Sequence, residues 1–425
     1  MPNPVSSVCA RRALLAVSTA ALLALTPAFA APRHGDDQAE WPQGWEVSEK
    51  LSISRESTPT LSPATVAATD NAIQKYQDLV ARGGWSPVPG ANMRLGSKSR
   101  AVQALRQRLM VSGDLAEDAA SGVTFDSFVE QGVKHFQLRH GLGPTGAVDE
   151  ETLKALNVSA EERLRELQIN LVRLRAYSGD LGERFVMVNL PAAAVETVEN
   201  GQVFSHHRAG VGRIDRPSPI MQTKAIDINF NPYWHVPPSL IKKDLIPKMK
   251  ANPDYLAEEK IHIIDKDGKE VQPSSVNWNT DEATHFSYRQ DPGSDIDALG
   301  AVRININNPY GVYMHDTPEK GIFGDDFRFV SSGCVRVQDV RDYVAWLLKD
   351  NQGWSRDQID DAIRSGQRID VKLIKPVPVY WVYVTAWATP DGVVQFRPDI
   401  YKRDGDGPGP LADATPAKPL AIPQE

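Results

Sequence analysis

Between Gly311 and Leu348 the chain alternates in two short runs and then shifts to a helical period, which sharply limits what this segment can become. From Gly311 to Asp316, Val312 and Met314 point to one face and Tyr313 and His315 to the other, the pattern of a half-buried strand. From Cys334 to Val337 the alternation returns, with Cys334 and Arg336 on one face and both valines on the opposite, buried one. Apolar residues then recur at Val340, Tyr343, Val344, Leu347 and Leu348, the stripe of an amphipathic helix. The segment thus predicts two strands and a helix carrying an imidazole and a thiol. A free thiol has a pKa of roughly 8.5 and is mostly protonated at neutral pH, so nucleophilic use of Cys334 requires a base or cation beside it. Asp316 is a weaker candidate to orient His315, because adjacent strand residues face opposite sides; its alternative is to bond the backbone of its own turn.

The chain has 2 cysteines, Cys9 and Cys334. Arg11 and Arg12 precede an apolar run from Ala13 to Leu25, and Ala28-Phe29-Ala30 offers small residues for cleavage, so residues 1–30 read as a secretory signal peptide. Export to the periplasm, with no transmembrane segment left after cleavage, is the expected localisation. A solitary cysteine in an oxidising compartment is either buried and inert or kept for its reactivity, and the residues around Cys334 favour reactivity.

Elsewhere the pattern divides the chain into blocks. Residues 31–64 are polar and bear Pro and Ser, and residues 404–425 are rich in Pro, Gly, Ala and Asp, so both are expected to be linker or disordered. Residues 93–157 predict three short helices. The first carries Val102, Leu105 and Leu109, the second Phe125, Phe128, Val129, Val133 and Phe136, and the third follows an Asp149 cap with Leu153 and Leu156. Ser159 and Glu162 form an expected capping box for a helix carrying Leu164, Leu167, Leu171 and Leu174. With an earlier helix this gives a scaffold over residues 65–92 and 158–180. Residues 183–400 read as mainly β, with an Asn200-Gly201 hairpin turn and a terminal hairpin around Pro390-Asp391-Gly392 that closes the sheet. An insert at about 237–285 reads as helical from Ser239. The expected fold class is α+β and multidomain: a mainly β domain with a helical insert, an all-α three-helix domain and helical scaffold segments.

His315-Asp316-Thr317-Pro318 followed by Ser331-Ser332-Gly333-Cys334-Val335-Arg336 resembles the catalytic signature of the L,D-transpeptidases, the YkuD-type cysteine enzymes that remodel peptidoglycan. Asn231-Pro232-Tyr233-Trp234-His235-Val236-Pro237 and Val276-Asn277-Trp278 resemble the long periplasmic branch of that family. Val133-Lys134-His135-Phe136-Gln137 with Gly141-Leu142 and Gly146 resembles a peptidoglycan-binding domain, whose alternative here is a spacer. One departure is Ser332, where many members carry His or Asn. The resemblance implies Cys334 as nucleophile and His315 as base. It implies a thioester with a tetrapeptide stem after loss of D-alanine, and resolution by an amine of a neighbouring stem. Tetrahedral charge on oxygen needs preplaced donors, for which Tyr313, Gly333 and Cys334 N–H are candidates, with Ser332 in the same turn. Arg336 has two readings, substrate carboxylate binding or an internal ion pair. Tyr233, Trp234 and Trp278 in or beside the capping insert are candidates to contact the stem peptide, against simple packing.

The formal net charge is −7 and no basic stripe appears, which argues against nucleic acid as a partner. One mature thiol and 9 histidines without HxxxH or CxxC spacing predict no metal, and no cofactor is implied. His206-His207 reads as a surface pair. Expected partners are peptidoglycan stem peptides and glycan, with other wall-synthesis proteins as further candidates. Three activities compete: a transpeptidase linking stems or attaching a free D-amino acid, a carboxypeptidase or protein-to-wall ligase using the same nucleophile, and an inactive wall-binding scaffold.

Overall fold

The computed structural model describes residues 57–292 and 296–405. The expected leader, most of the amino-terminal linker and the carboxy-terminal tail lie outside the described residues.

The first helix, α1 (Pro63–Ala81), begins where the Ser62 side chain accepts the Thr65 N–H and proline occupies the first turn. Three short helices follow: α2 (Arg100–Val111), α3 (Ser127–Arg139) and α4 (Glu150–Leu156). Ser99, Asp126 and Asp149 cap them by accepting the N–H groups of Val102, Val129 and Thr152. Their apolar stripes meet in one small core that includes Leu105, Leu109, Val133 and Phe136. Phe128 is an exception to the expected stripe, being 67% exposed. At 100° per residue the inward positions are 129, 133 and 136, which turns 128 away. Helix α5 (Ala160–Tyr177) starts on Ser159, which accepts the Glu162 N–H. The expected reciprocal half of that capping box is not formed, because the Glu162 carboxylate reaches forward to Arg165 instead.

The region from residue 184 onward is built on a nine-stranded sheet in the order β11-β3-β12-β10-β9-β4-β13-β1-β2, and β2 also pairs with β3, so the sheet curls back on itself. Its strands are β1 (Arg184–Asn189), β2 (Ala194–Glu199), β3 (Gln202–Gly212), β4 (Met221–Phe230), β9 (Val302–Ile306), β10 (Met314–His315), β11 (Phe329–Ser331), β12 (Val335–Val337) and β13 (Ile369–Val382). Asn200 and Gly201 both take positive φ, 52° and 74°, as a two-residue turn between β2 and β3 requires. One face of the sheet is apolar and packs with α6 (Val340–Leu347) and α7 (Arg356–Arg364), burying Tyr343, Val344, Leu347 and Ile359.

Three features differ from the sequence reading. The insert is helical over Pro238–Leu240 and Ile246–Ala251, with a π-turn at Ile241–Leu245 between them. It also carries a four-stranded sheet, β5 (Trp234–His235), β8 (Ser287–Gln290), β6 (Ile261–Ile264) and β7 (Glu270–Val271), so it has its own mixed core. The terminal hairpin, β14 (Ala386–Ala388) with β15 (Val394–Phe396), does not close the main sheet but forms a separate two-stranded one. The chain leaves the main ladder after Val382 because side-chain amides take over its backbone groups: Asn189 accepts the Val384 N–H and Asn170 accepts the Thr385 N–H. The freed hairpin packs on α1 and α5 through Ala386, Ala388 and Phe396. Finally, His207 is not on the surface. It is buried, with Nδ1 at 2.9 Å from the Gln338 carbonyl and Nε2 at 2.8 Å from Ser205 Oγ, while only His206 is exposed.

The three-helix domain docks on that hairpin. His140 stacks between Phe136 and Phe396, with centroids 3.8 and 5.4 Å apart, and Gly143 N–H donates to Asp326 at 2.8 Å, on the segment between His315 and Cys334.

Candidate active site

Strands β10 and β12 are parallel neighbours, with Met314 opposite Val335 and His315 opposite Arg336. Because side chains alternate, His315, Tyr313, Arg336 and Cys334 all project from the polar face of the sheet, and Met314, Val335 and Val337 from the apolar one. Cys334 lies just ahead of the paired segment of β12, diagonal to His315. Diagonal positions on neighbouring strands have backbones about 7–8 Å apart, within reach of an imidazole and a thiol. The Val335 N–H donates to the Tyr313 carbonyl at 3.1 Å, which places Tyr313 alongside the cysteine.

The turn that presents Cys334 is built from serines. Ser331, buried, donates through Oγ to the Cys334 carbonyl at 2.6 Å and accepts the Gly333 N–H at 3.1 Å. Ser218 donates to the Gly333 carbonyl at 2.8 Å and accepts the Gly212 N–H at 2.9 Å. Gly333 itself has φ +117°, and a Cβ there would come within 3.2 Å of Val312, so the turn needs glycine. Gly333 N–H is therefore engaged inside the turn, whereas the backbone N–H of Tyr313 faces the sulfur. Ser332 is exposed, and its hydroxyl accepts from Arg216 at 3.0 Å.

Burial pushes the His315 imidazole down to about 3, helped by Arg336 and Arg303 and resisted by the carbonyls of Asp316 and Leu299. Its Nδ1 is buried without a hydrogen-bond partner. Burial pushes the Cys334 thiol up to about 11, against the Tyr313 backbone N–H and the charges of Arg303 and Arg336. Cys334 as a whole residue is half-buried, while burial dominates the surroundings of its sulfur. Both groups therefore rest neutral near pH 7, and a neutral imidazole can accept the thiol proton when an acyl group arrives. Burial also raises the Tyr313 hydroxyl, which keeps its proton and remains a donor. Its ring lies 5.7 Å from that of His315, the Arg303 guanidinium sits 5.0 Å from its centroid, and the Trp234 indole N–H faces its hydroxyl.

The other expected residues fall as follows. Asp316 does not orient His315: one oxygen accepts the Ala301 N–H at 3.1 Å and the other pairs with Lys320. Arg336 pairs with Glu319 at 2.8 Å. Tyr233 carries the Arg289 guanidinium 4.7 Å from its ring centroid. Trp278 packs within the insert against Tyr288, with its N–H donating to the Pro273 carbonyl at 3.0 Å, and is not brought to the cysteine. Sequence reasoning missed Ser218, Arg216 and Arg303, and quoted Ser331 in the signature without giving it a role. Only Arg303 had a local signal, since it alternates with Ile304 on a strand flanking His315.

Arg216 joins the insert to the Cys334 turn: besides Ser332 it forms a two-pronged pair with Asp244 of the π-turn, at 2.5 and 2.7 Å. Arg216→Ala is expected to raise KM for a peptide substrate about 3–10-fold through loss of a charge-assisted pair, with kcat changing less. An unchanged KM in steady-state kinetics would show that the insert needs no such tie.

The pKa directions also set a stability profile. His140, His207 and His315 are buried and all held below the ordinary histidine range by burial. Below about pH 6.5 the unfolded chain takes up protons at these three sites that the folded protein refuses, so their contribution is full above that value and falls as the pH drops through it. The single raised imidazole among the described residues, His262 held up by Glu270 and Asp291, offsets that loss only in part. Melting temperatures measured from pH 7.5 to 5 should therefore decline before the carboxylates titrate; a flat profile over that window would contradict the assignment.

Residues 183–371 match the family described as YkuD, L,D-transpeptidase catalytic domain, and residues 98–156 the one described as "Putative peptidoglycan binding domain". The chain is 33% identical over 240 residues to a "Putative L,D-transpeptidase" of Haemophilus influenzae, covering 56% of this chain and 48% of that one. It thus spans about half the length of the curated relative it matches. Two solved structures are similar at 14% identity. An L,D-transpeptidase from Stackebrandtia nassauensis has a TM-score of 0.26, with 69% of this chain and 96% of that chain covered. An L,D-transpeptidase from Mycobacterium smegmatis has a TM-score of 0.23, with 47% and 58% covered.

Proposed function

We propose that the chain, whose residues 183–371 match the L,D-transpeptidase catalytic domain and residues 98–156 the putative peptidoglycan binding domain, joins peptidoglycan stems through a thioester on Cys334. The observation that carries this reading is the register of β10 and β12, which sets His315 and Cys334 on one face of adjacent strands.

In the first half-reaction His315 takes the Cys334 proton as sulfur attacks the carbonyl joining the L-centre of the diamino acid to the terminal D-alanine. The Cys334 N–H and the Tyr313 hydroxyl donate to the oxyanion, and imidazolium returns the proton to the departing D-alanine amine. In the second, His315 receives a proton from the amine of a neighbouring stem as it attacks the thioester. Collapse then forms the new amide and releases the Cys334 thiol. Trp234 fixes Tyr313 from the insert side, and Ser331 and Ser218 hold the turn.

The leader pattern in residues 1–30 supports a periplasmic location, and among the described residues no helix is long and apolar enough to cross a membrane. The three-helix domain would hold wall glycan while the cysteine works on a stem. Incubation of the purified protein with tetrapeptide muropeptides, followed by mass spectrometry of the products, tests the reading. Dimers linked between diamino acids are expected. Trimmed tripeptides alone would replace it with a carboxypeptidase, and unchanged substrate would leave an inert scaffold.

A further inference from the structure

The polar face of the sheet holds a second cationic group that the signature residues do not account for. Arg303 on β9 pairs in register with His315 on one side and Asn229 on the other. Its Nε donates to Asn305 at 2.6 Å, and its guanidinium lies by the Tyr313 ring, next to the cysteine. Arg289 on β8 of the insert stands opposite His235 in the β5–β8 ladder and is held against Tyr233. Its Nε is buried without a hydrogen-bond partner. Both guanidinia bear on His235. Neither has a carboxylate within ion-pairing distance among the described residues, and both are half-buried. Neighbouring Arg336 and Arg368, by contrast, are paired with Glu319 and Asp370. Two half-buried like charges with no carboxylate in ion-pairing distance among the described residues repel each other, and an anion between them would offset that repulsion.

We propose that Arg303 and Arg289 together bind a carboxylate of the donor stem, one from the sheet and one from the insert, so that the insert closes on the substrate through charge. This rests on the stem being the ligand of the Cys334 groove. Two carboxylates flank the scissile carbonyl: the terminal one of D-alanine and, in stems built on a diamino diacid, the one at the side-chain end. Planar guanidinium forks suit either.

The test is binding of synthetic tetrapeptide stems to the protein carrying Cys334→Ala, so that recognition is read without turnover. Three ligands are compared: the free acid, the terminal D-alaninamide, and a stem with the side-chain carboxylate amidated. The free acid should bind at least tenfold more tightly than one amide, and that amide identifies which carboxylate is held. Arg303→Gln and, separately, Arg289→Gln should each erase the preference, weakening the acid about tenfold and the discriminated amide less than twofold. Equal binding of all three stems, no binding of any, or equal weakening of all by both substitutions would overturn the proposal. Discrimination by a protein that forms no cross-links would refute the transpeptidase reading alone, and cross-linking without discrimination would refute this one alone.

Discussion

Cys334→Ala is expected to reduce cross-linking to background, a loss on the order of 10⁴–10⁶ in rate. No other thiol lies in the described residues, and none of the serines in the turn can substitute. Ser331 and Ser218 are committed to backbone groups on either side of the cysteine, and Ser332 is tied to Arg216. None of the turn's side-chain hydrogen bonds depends on the removed sulfur, so the melting temperature and retention on insoluble peptidoglycan should match the unsubstituted protein. Cross-link formation by the alanine variant, followed by chromatography of digested product, would take the nucleophile's role from Cys334.

His315→Gln should lower kcat/KM about 10²–10⁴-fold at pH 7, the usual contribution of a positioned base. The pH dependence separates this from misplacement of the thiol. With the thiol held near 11 and the imidazole near 3, the unsubstituted protein has a neutral base and a protonated nucleophile across pH 5–8, so its rate needs no preformed thiolate. In the glutamine variant only hydroxide can supply thiolate, and the rate should climb about tenfold per pH unit up to the thiol pKa. A variant profile parallel to that of the unsubstituted protein would mean that His315 positions groups but transfers no proton.

Much of this site is legible in the chain because it rests on strand alternation. Tyr313, His315, Cys334 and Arg336 share a face for the same reason that Val312, Met314, Val335 and Val337 share the other. The helix start at Asp149 is equally readable, since capping is local chemistry. What escaped was non-local. The insert's strands are two to four residues long, too short to show a period, and their pairing joins Trp234 to Gln290 and Ile261 to Gln290. Arg216 meets Asp244 and Ser332, and Ser218 meets Gly333, across stretches that no spacing rule connects. His207 looked like a surface residue beside His206, yet the strand's alternation turns one out and the other into contact with Gln338 and Tyr343. The hairpin at β14 and β15 was read as part of the sheet because nothing local reveals that Asn170 and Asn189 intercept the backbone just before it.

The central claim is a covalent one, and the intact mass of the protein measures it directly. Brief incubation with a tetrapeptide stem, acid quenching and mass spectrometry should show the protein heavier by the stem less one D-alanine, with the added mass mapped to Cys334 and removed by hydroxylamine. D-alanine release or cross-linking with no such adduct at any quench time, or an adduct mapped to another residue, would contradict it.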